Sequence, residues 1–146
     1  MSAASIAREW LGTPYHSGAR IKGIGVDCGQ LLIAVYETEG NLAPGECSPG
    51  IYSNEWHLHR SEEKYLSWII KYCDRISESE AREGDIALFR FGRCVSHGGI
   101  VTEWPNVIHA YVGQGVIESD IHEAMLCDKS GHSRLYGIYR PRVKTR

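Results

Sequence analysis

The sequence predicts an α+β domain in which helices from the first half pack on an antiparallel sheet of about five strands from the second. Before Gly84 the apolar residues recur at helical spacing, and after it they fall in short β-branched and aromatic runs divided by turn residues. The order of helices first and strands second is the pattern of an α+β layer packing. The length of 146 residues suits one core, since a domain of this size buries roughly 68–70% of the surface its unfolded chain exposes. Residues 1–146 therefore read as a single domain, without repeat or linker.

Each element has its own signal. Ala3 to Leu11 places Ile6 and Trp10 four apart with Ala3 and Ala7 beside them, one face of a short helix that Gly12, Thr13 and Pro14 end. His16 to Gly25, with Gly18, Gly23 and Gly25 and no apolar period, reads as a loop. Asp27 is a good N-cap for a helix carrying Leu31, Leu32, Val35 and Tyr36 and closing near Gly40. Asn41 to Asn54 is turn-rich and predicts a long surface loop. A third helix is expected from Ser61, with Glu62 and Glu63 in its first turn and Leu66, Ile69, Ile70 and Cys73 facing inward. The five expected strands are Ile86 to Phe91, Val95 to Glu103, Val107 to Val112, Gly115 to Ile121 and Leu135 to Arg140.

Composition removes several classes of function. A net charge of -2 gives no support to nucleic-acid binding, which needs a clustered basic face. The basic residues Arg140, Arg142, Lys144 and Arg146 read as a solvated tail. No run approaches the roughly 18 apolar residues of a membrane span, and the N-terminus lacks the charged-then-apolar pattern of a signal peptide. Synthesis in the cytoplasm is the expectation. The five cysteines Cys28, Cys47, Cys73, Cys94 and Cys127 are odd in number and widely spaced, which fits neither a disulfide framework nor zinc knuckles.

Cys28 stands where physics favours a reactive thiol. It follows a helix N-cap, so unpaired amides and the positive end of the helix dipole stabilise a thiolate and can bind an oxyanion. Gly23 and Gly25 let the preceding chain turn tightly and leave a cleft before the helix. The alternative is a small buried residue, the usual fate of a free cysteine.

A nucleophilic cysteine needs a base and a group that orients the base. His97 begins the run Gly98-Gly99-Ile100-Val101, where two glycines admit a close neighbour, and His109 lies in the next strand. Their even spacing puts both on one face of a regular hairpin. With the turn centred near Glu103 the two stand opposite each other, which is the register assumed; centred on Pro105 they are offset by four residues, about 13 Å. Taken singly, a histidine is more often a structural or surface residue than a catalytic one.

Gly12-Thr13-Pro14-Tyr15, Asp27-Cys28 opening a helix, Gly84-Asp85 before a strand, Ser96-His97-Gly98-Gly99-Ile100-Val101 and Val107-Ile108-His109-Ala110 together resemble, in order and spacing, the NlpC/P60 superfamily of cell-wall cysteine peptidases. The run from Gly12 to His16 through Lys22-Gly23, the stretch Trp56-His57-Leu58-His59-Arg60 and the stretch Phe89-Arg90-Phe91-Gly92-Arg93 look like the members encoded among tail genes of phages, prophages and gene-transfer agents. The resemblance implies a papain-like α+β fold and hydrolysis of peptidoglycan stem peptides, typically between the γ-carboxyl of D-glutamate and the following diamino acid. It implies Cys28 as nucleophile, His97 as base, His109 as third polar residue and Tyr15 as a tyrosine whose hydroxyl serves the oxyanion or substrate. It also implies phage-tail proteins as partners and a virion-associated protein delivered to the cell wall. The sequence departs from the family's usual Asp-Cys-Ser-Gly-Leu, because Gly29 and Gln30 follow the cysteine, and His16-Ser17-Gly18 replaces an aromatic and two glycines.

Other readings stay open. The chain is alternatively an inactive structural or assembly component of a tail, or a thiol acyltransferase on another amide. The expected chemistry needs neither a metal nor a cofactor. A metal site would draw on His57 and His59, with His122, His132 or Cys127 as remote ligands; the alternative has His57 and His59 packing and capping the third helix. Asp85 and Asp120 read as turn and capping residues, and Trp56 and Trp68 as core.

Overall fold

The computed structural model describes residues 2–47 and 62–142. The expected positions at Trp56, His57, His59 and Ser61, and residues 48–54 of the predicted loop, lie outside the described residues. The first helix, α1, spans Ala3–Arg8, shorter than expected. Ser2 caps it by accepting from the Ser5 amide at 3.2 Å, and Ala3, Ala4, Ile6 and Ala7 are buried. Its expected last turn gives way to turns leading to Gly12, at φ 87°, whose amide donates across the molecule to Val116 O at 3.0 Å. The expected loop before Asp27 contains a two-stranded ribbon, β1 (Arg20–Ile21) and β2 (Gly25–Val26), turning at Gly23.

The second helix, α2, spans Cys28–Glu39. Asp27 is its N-cap, and Gly40 ends it in the left-handed conformation at φ 104°, donating to Tyr36 O, as the sequence predicts. Every residue from Leu31 to Tyr36 is buried. A helix apolar on all sides belongs inside the molecule, so its N-terminus is fixed by core packing on every flank.

The third helix, α3, spans Glu62–Tyr72 and passes directly into β3, Cys73–Ile76. Cys73 is buried as expected, but from a strand rather than a helix. The cause is pairing with the last strand, β8 (Leu135–Pro141), in the register Cys73↔Pro141 to Ile76↔Ile138. Arg142 then folds back, donating to the carbonyls of Ile70, Lys71 and Cys73 and pairing with Asp74 at 2.9 Å. These carbonyls at a helix C-terminus need donors, and a guanidinium supplies several.

The main sheet has six strands rather than about five, in the order β3-β8-β4-β5-β6-β7, with all neighbouring pairs antiparallel. β4 (Ile86–Phe91), β5 (Cys94–Val101), β6 (Asn106–Tyr111) and β7 (Gly115–Asp120) form the expected meander. β8 returns to the free side of β4, pairing from Ile86↔Tyr139 to Phe89↔Leu135. Asp85 is almost fully buried; Arg140 grips it through two bonds of 2.8 and 3.0 Å, and Arg82 donates its amide to the same carboxylate. The basic tail expected to be solvated is therefore structural at Arg140 and Arg142. One apolar cluster joins α1 and α2 to Ile86, Leu88, Ile100 and Ile108, and a second joins Phe89, Val101 and Val107 to Ile121 and Leu126 on the other face. β5 is buried along its whole length, which makes it the rigid centre of the sheet.

Candidate active site

Asp27 builds the start of α2 with both carboxylate oxygens. Oδ1 accepts the Gln30 amide at 2.9 Å and Oδ2 accepts the Gly18 amide at 2.6 Å, so one side chain caps the helix and ties down the preceding loop. Cys28 occupies the first helical turn, buried, and its thiol donates to Ser96 O at 3.6 Å. Ser96 is an extra residue in β5: Phe89 pairs with His97 while Arg90 pairs with Val95, leaving Ser96 without a partner on β4. A bulge of this kind bends a strand and re-aims the adjoining side chain. Here it turns a carbonyl toward Cys28 one residue before His97.

Tyr15 is held by a clasp. Val116 donates to Thr13 O at 2.9 Å, Val26 donates to Pro14 O at 3.0 Å, and His16 donates to Val26 O at 3.0 Å. The segment fits because Gly115 has no side chain: a Cβ there would stand 2.6 Å from Thr13 O, and its φ is 79°. Burial, and then the proximity of Cys28 and Asp27, hold the Tyr15 phenol well above its ordinary range. It remains a hydrogen-bond donor throughout the working pH range.

The two histidines share a face, as their even spacing gives in a hairpin centred on a residue, but they are not directly opposite. β5 and β6 pair in the register Ile100↔Ile108 and Val101↔Val107, which centres the hairpin on Trp104 and falls between the two registers considered. Continued along the strands, that register sets His97 across from Tyr111 and leaves His109 one same-face step away. A diagonal of this length is within reach of two rings. His97 Nε2 lies 2.7 Å from His109 Nδ1, with the rings edge-on at 79°. Gly99 permits the approach, since a Cβ there would meet Ile108 O at 2.9 Å and His109 Cβ at 3.1 Å.

His109 is fully buried, and its other nitrogen, Nε2, lies 2.9 Å from Ser119 Oγ. Burial lowers its pKa to about 4, so the ring is neutral near pH 7. A neutral ring that donates from Nε2 to Ser119 accepts at Nδ1, and His97 then carries its proton on Nε2. The His97 nitrogen not turned toward His109 is Nδ1, with a lone pair suited to take a proton.

Tyr15, Cys28 and His97 line a single cavity of about 140 Å³, whose remaining walls are Phe91, Ser96, Ala110, Tyr111 and Val112. His109 lies behind His97 and is not in the lining. Phe89, Phe91 and Tyr111 crowd the His97 ring at centroid distances of 5.8, 5.7 and 5.7 Å. An imidazole packed by three aromatic rings has one orientation, which suits a base that must meet one sulfur. The arrangement can do thiolate chemistry on a carbonyl: a thiol, an imidazole and a phenol face one accessible space, and a second imidazole holds the first from behind.

The NlpC/P60 family model matches residues 12–134. The chain belongs to the NlpC/P60 family. It is 27% identical over 120 residues to a probable endopeptidase NlpC homolog from Haemophilus influenzae, covering 82% of this chain and 54% of that protein. The chain thus spans about half the length of this curated relative. Among solved structures it is similar to NlpC1 from Trichomonas vaginalis, with 21% identity, TM-score 0.67, and coverage of 97% of this chain and 44% of that one. It is also similar to the NlpC/p60 domain of the peptidoglycan hydrolase SagA, with 21% identity, TM-score 0.59, and coverage of 82% and 87%. A third neighbour is RipD from Mycobacterium tuberculosis, a non-catalytic NlpC/p60 domain protein adapted to peptidoglycan binding, with 14% identity, TM-score 0.54, and 99% of both chains covered. At these identities the structures establish the fold, and the residues of each site carry the chemistry.

In this NlpC/P60 chain Asp120, His122, Cys127, Asp128 and His132, noted from sequence or beside residues so noted, are engaged in local hydrogen bonds. Asp120 Oδ1 accepts from the His122 amide and faces its ring nitrogen, both at 2.8 Å. Asp128 accepts from the amides of Ser130 and His132, and Cys127 donates to His122 O at 3.5 Å. Among the described residues no group of three His, Cys, Asp or Glu side chains converges to hold a metal ion, and no helix is long and apolar enough to cross a membrane. Trp68 packs against the helix-side core. Sequence reasoning missed Ser119, the Ser96 bulge and the aromatic walls Phe91 and Tyr111. Ser119 had one signal: it shares the parity of His109 across the glycine turn at Gly113 to Gly115.

Proposed function

We propose that this chain is a cysteine peptidase that hydrolyses peptidoglycan stem peptides, at the amide between the γ-carboxyl of D-glutamate and the following diamino acid. The observation that carries this reading is the meeting of Cys28, His97 and Tyr15 on one cavity while His109 holds His97 from behind at 2.7 Å. His97 Nδ1 takes the thiol proton, and Sγ of Cys28 adds to the substrate carbonyl carbon as the π pair moves to oxygen. First-turn amides of α2 and the Tyr15 hydroxyl hold that oxyanion; one such donor is worth about 2.7–4 kcal/mol. The C–N bond then breaks, and His97 returns the proton to the departing amine. A water deprotonated by the same imidazole adds to the thioester, and its collapse expels the thiolate.

The substrate assignment draws on family membership and on the motifs from Gly12 to Ala110. Association with a phage or prophage tail, with synthesis in the cytoplasm and delivery to the next cell's wall on the virion, is the reading favoured by the stretches Trp56 to Arg60 and Phe89 to Arg93. The test of the activity is incubation with γ-D-glutamyl-diamino acid stem peptides, with products read by mass spectrometry. Two fragments, formed equally with and without an added amine acceptor, are expected; intact peptide with folded protein would reject the reading. Mass spectrometry of purified virions tests the tail association.

A further inference from the structure

A third catalytic residue that is a histidine poses a problem that a carboxylate or a side-chain amide oxygen does not. An oxygen can only accept from the base, whereas a neutral imidazole exists as two tautomers, one accepting at Nδ1 and the other donating from it. If His109 carried its proton on Nδ1, it would donate to His97 Nε2. His97 would then hold its own proton on Nδ1, the nitrogen required to receive the proton of the thiol. The contact of 2.7 Å would persist and the base would be lost. Something must fix the tautomer of His109.

We infer that Ser119 is the positioning residue that does so, by accepting the Nε2 proton of His109 and thereby keeping His97 in the form that can act as a base. The hydroxyl oxygen lies 2.9 Å from Nε2. Both groups are shut away from solvent, His109 fully and Ser119 almost fully, so bulk water does not replace this partner. The hydroxyl's own hydrogen has an acceptor in Met125 Sδ at 3.9 Å, which leaves the oxygen lone pairs for His109. His109 stays neutral near pH 7 because of its burial, so the tautomer rather than the charge is what must be set. β7 supplies Ser119 from the strand beyond His109, where His109 pairs with Ile117 and Ser119 is one same-face step on. The orienting group of this site is therefore a two-residue relay across three strands.

The inference rests on the assignment of His97 as base, and its test is chosen so that the two fail separately. Ring nitrogen NMR of uniformly labelled wild-type protein, between pH 6 and 8, is expected to find the proton of neutral His109 on Nε2. No substrate is involved, so this result is independent of whether stem peptides are cleaved. Ser119→Thr and Ser119→Val then differ only by a hydroxyl against a methyl. In the valine variant His109 is expected to gain the Nδ1-protonated form, with alkylation of Cys28 at pH 7 and kcat each falling about tenfold, KM unchanged, and the threonine variant restoring both to within about threefold. A merely structural serine would lower stability without moving the tautomer or splitting kcat from KM. A His109 proton on Nδ1 in the wild type, or equal alkylation of the valine and threonine variants, would overturn the inference. If neither variant folds, the wild-type spectrum decides alone.

Discussion

The two ends of the α2 neighbourhood hold cysteines in opposite circumstances. At the N-terminus, Cys28 sits in the first turn, reaches a carbonyl of a bulged strand and shares its cavity with His97 and a phenol. Farther along, Cys47 and Cys73 line an apolar pocket with Leu32, Ile33, Tyr36 and Trp68. Burial pushes both thiols up, Cys73 to about 12, so they remain protonated at working pH. The residue type is the same in both places. What differs is the setting: Cys28 lies in the first turn of a helix beside an imidazole and a phenol, whereas Cys47 and Cys73 are enclosed mainly by apolar side chains, and this is why the position of a cysteine says more than its burial.

The largest expected effects come from erasing the difference at Cys28. Cys28→Ala and His97→Ala should each lower stem-peptide turnover by about 10⁴-fold or more, measured by product mass spectrometry, with the thermal midpoint nearly unchanged. Cys73→Ala should do the reverse, keeping kcat within about twofold. Full activity in Cys28→Ala would break the comparison outright.

Next is the pH dependence of stability. The folded state keeps His109 neutral down to about pH 4, whereas the unfolded imidazole takes a proton near its ordinary value of 6.5. The unfolded chain thus binds more protons between these values, and the contribution is fully present above pH 6.5 and lost as the pH falls toward 4. The loss is on the order of 3 kcal/mol, and denaturant titrations at pH 7, 5.5 and 4.5 would follow it. His109→Gln, which cannot titrate, should flatten the slope; an unchanged slope would contradict the buried neutral state.

His109→Ala should leave residual activity, with kcat down about 100-fold, because the aromatic rings around His97 still confine it while its tautomer is freed. A loss as large as that of His97→Ala would mean that His109 does more than orient. The smallest effect is at Cys73, where removing the buried sulfur should cost about 1–2 kcal/mol in a denaturant titration and leave the alkylation of Cys28 as it was.

Much of this was legible in the sequence wherever the determinants are local. Asp27 and Gly40 bracket α2 as cap residues should, and all five expected strands lie within about two residues of those observed. Even spacing placed His97 and His109 on one face, given a hairpin centred on a residue. The largest departures involve partners far along the chain. Cys73–Ile76 became a strand because β8, more than sixty residues later, offered an edge, and Arg140 and Arg142 became structural for the same reason. The hairpin register depended on a turn centred on Trp104, which no periodicity specifies. The bulge at Ser96 and the reach of Ser119 likewise exist only once strands are laid side by side.

The central claim is that Cys28 and His97 form a thiolate–imidazolium pair that the other cysteines lack. The measurement that meets it most directly is the pH dependence of iodoacetamide alkylation at each cysteine, read by peptide mass spectrometry in wild type and His97→Ala. The account predicts that Cys28 reacts selectively well below the ordinary thiol value of about 8.5, that the variant loses this advantage, and that Cys47 and Cys73 stay unreactive until the protein unfolds. Cys28 reacting as an ordinary thiol, indifferent to His97, would contradict it.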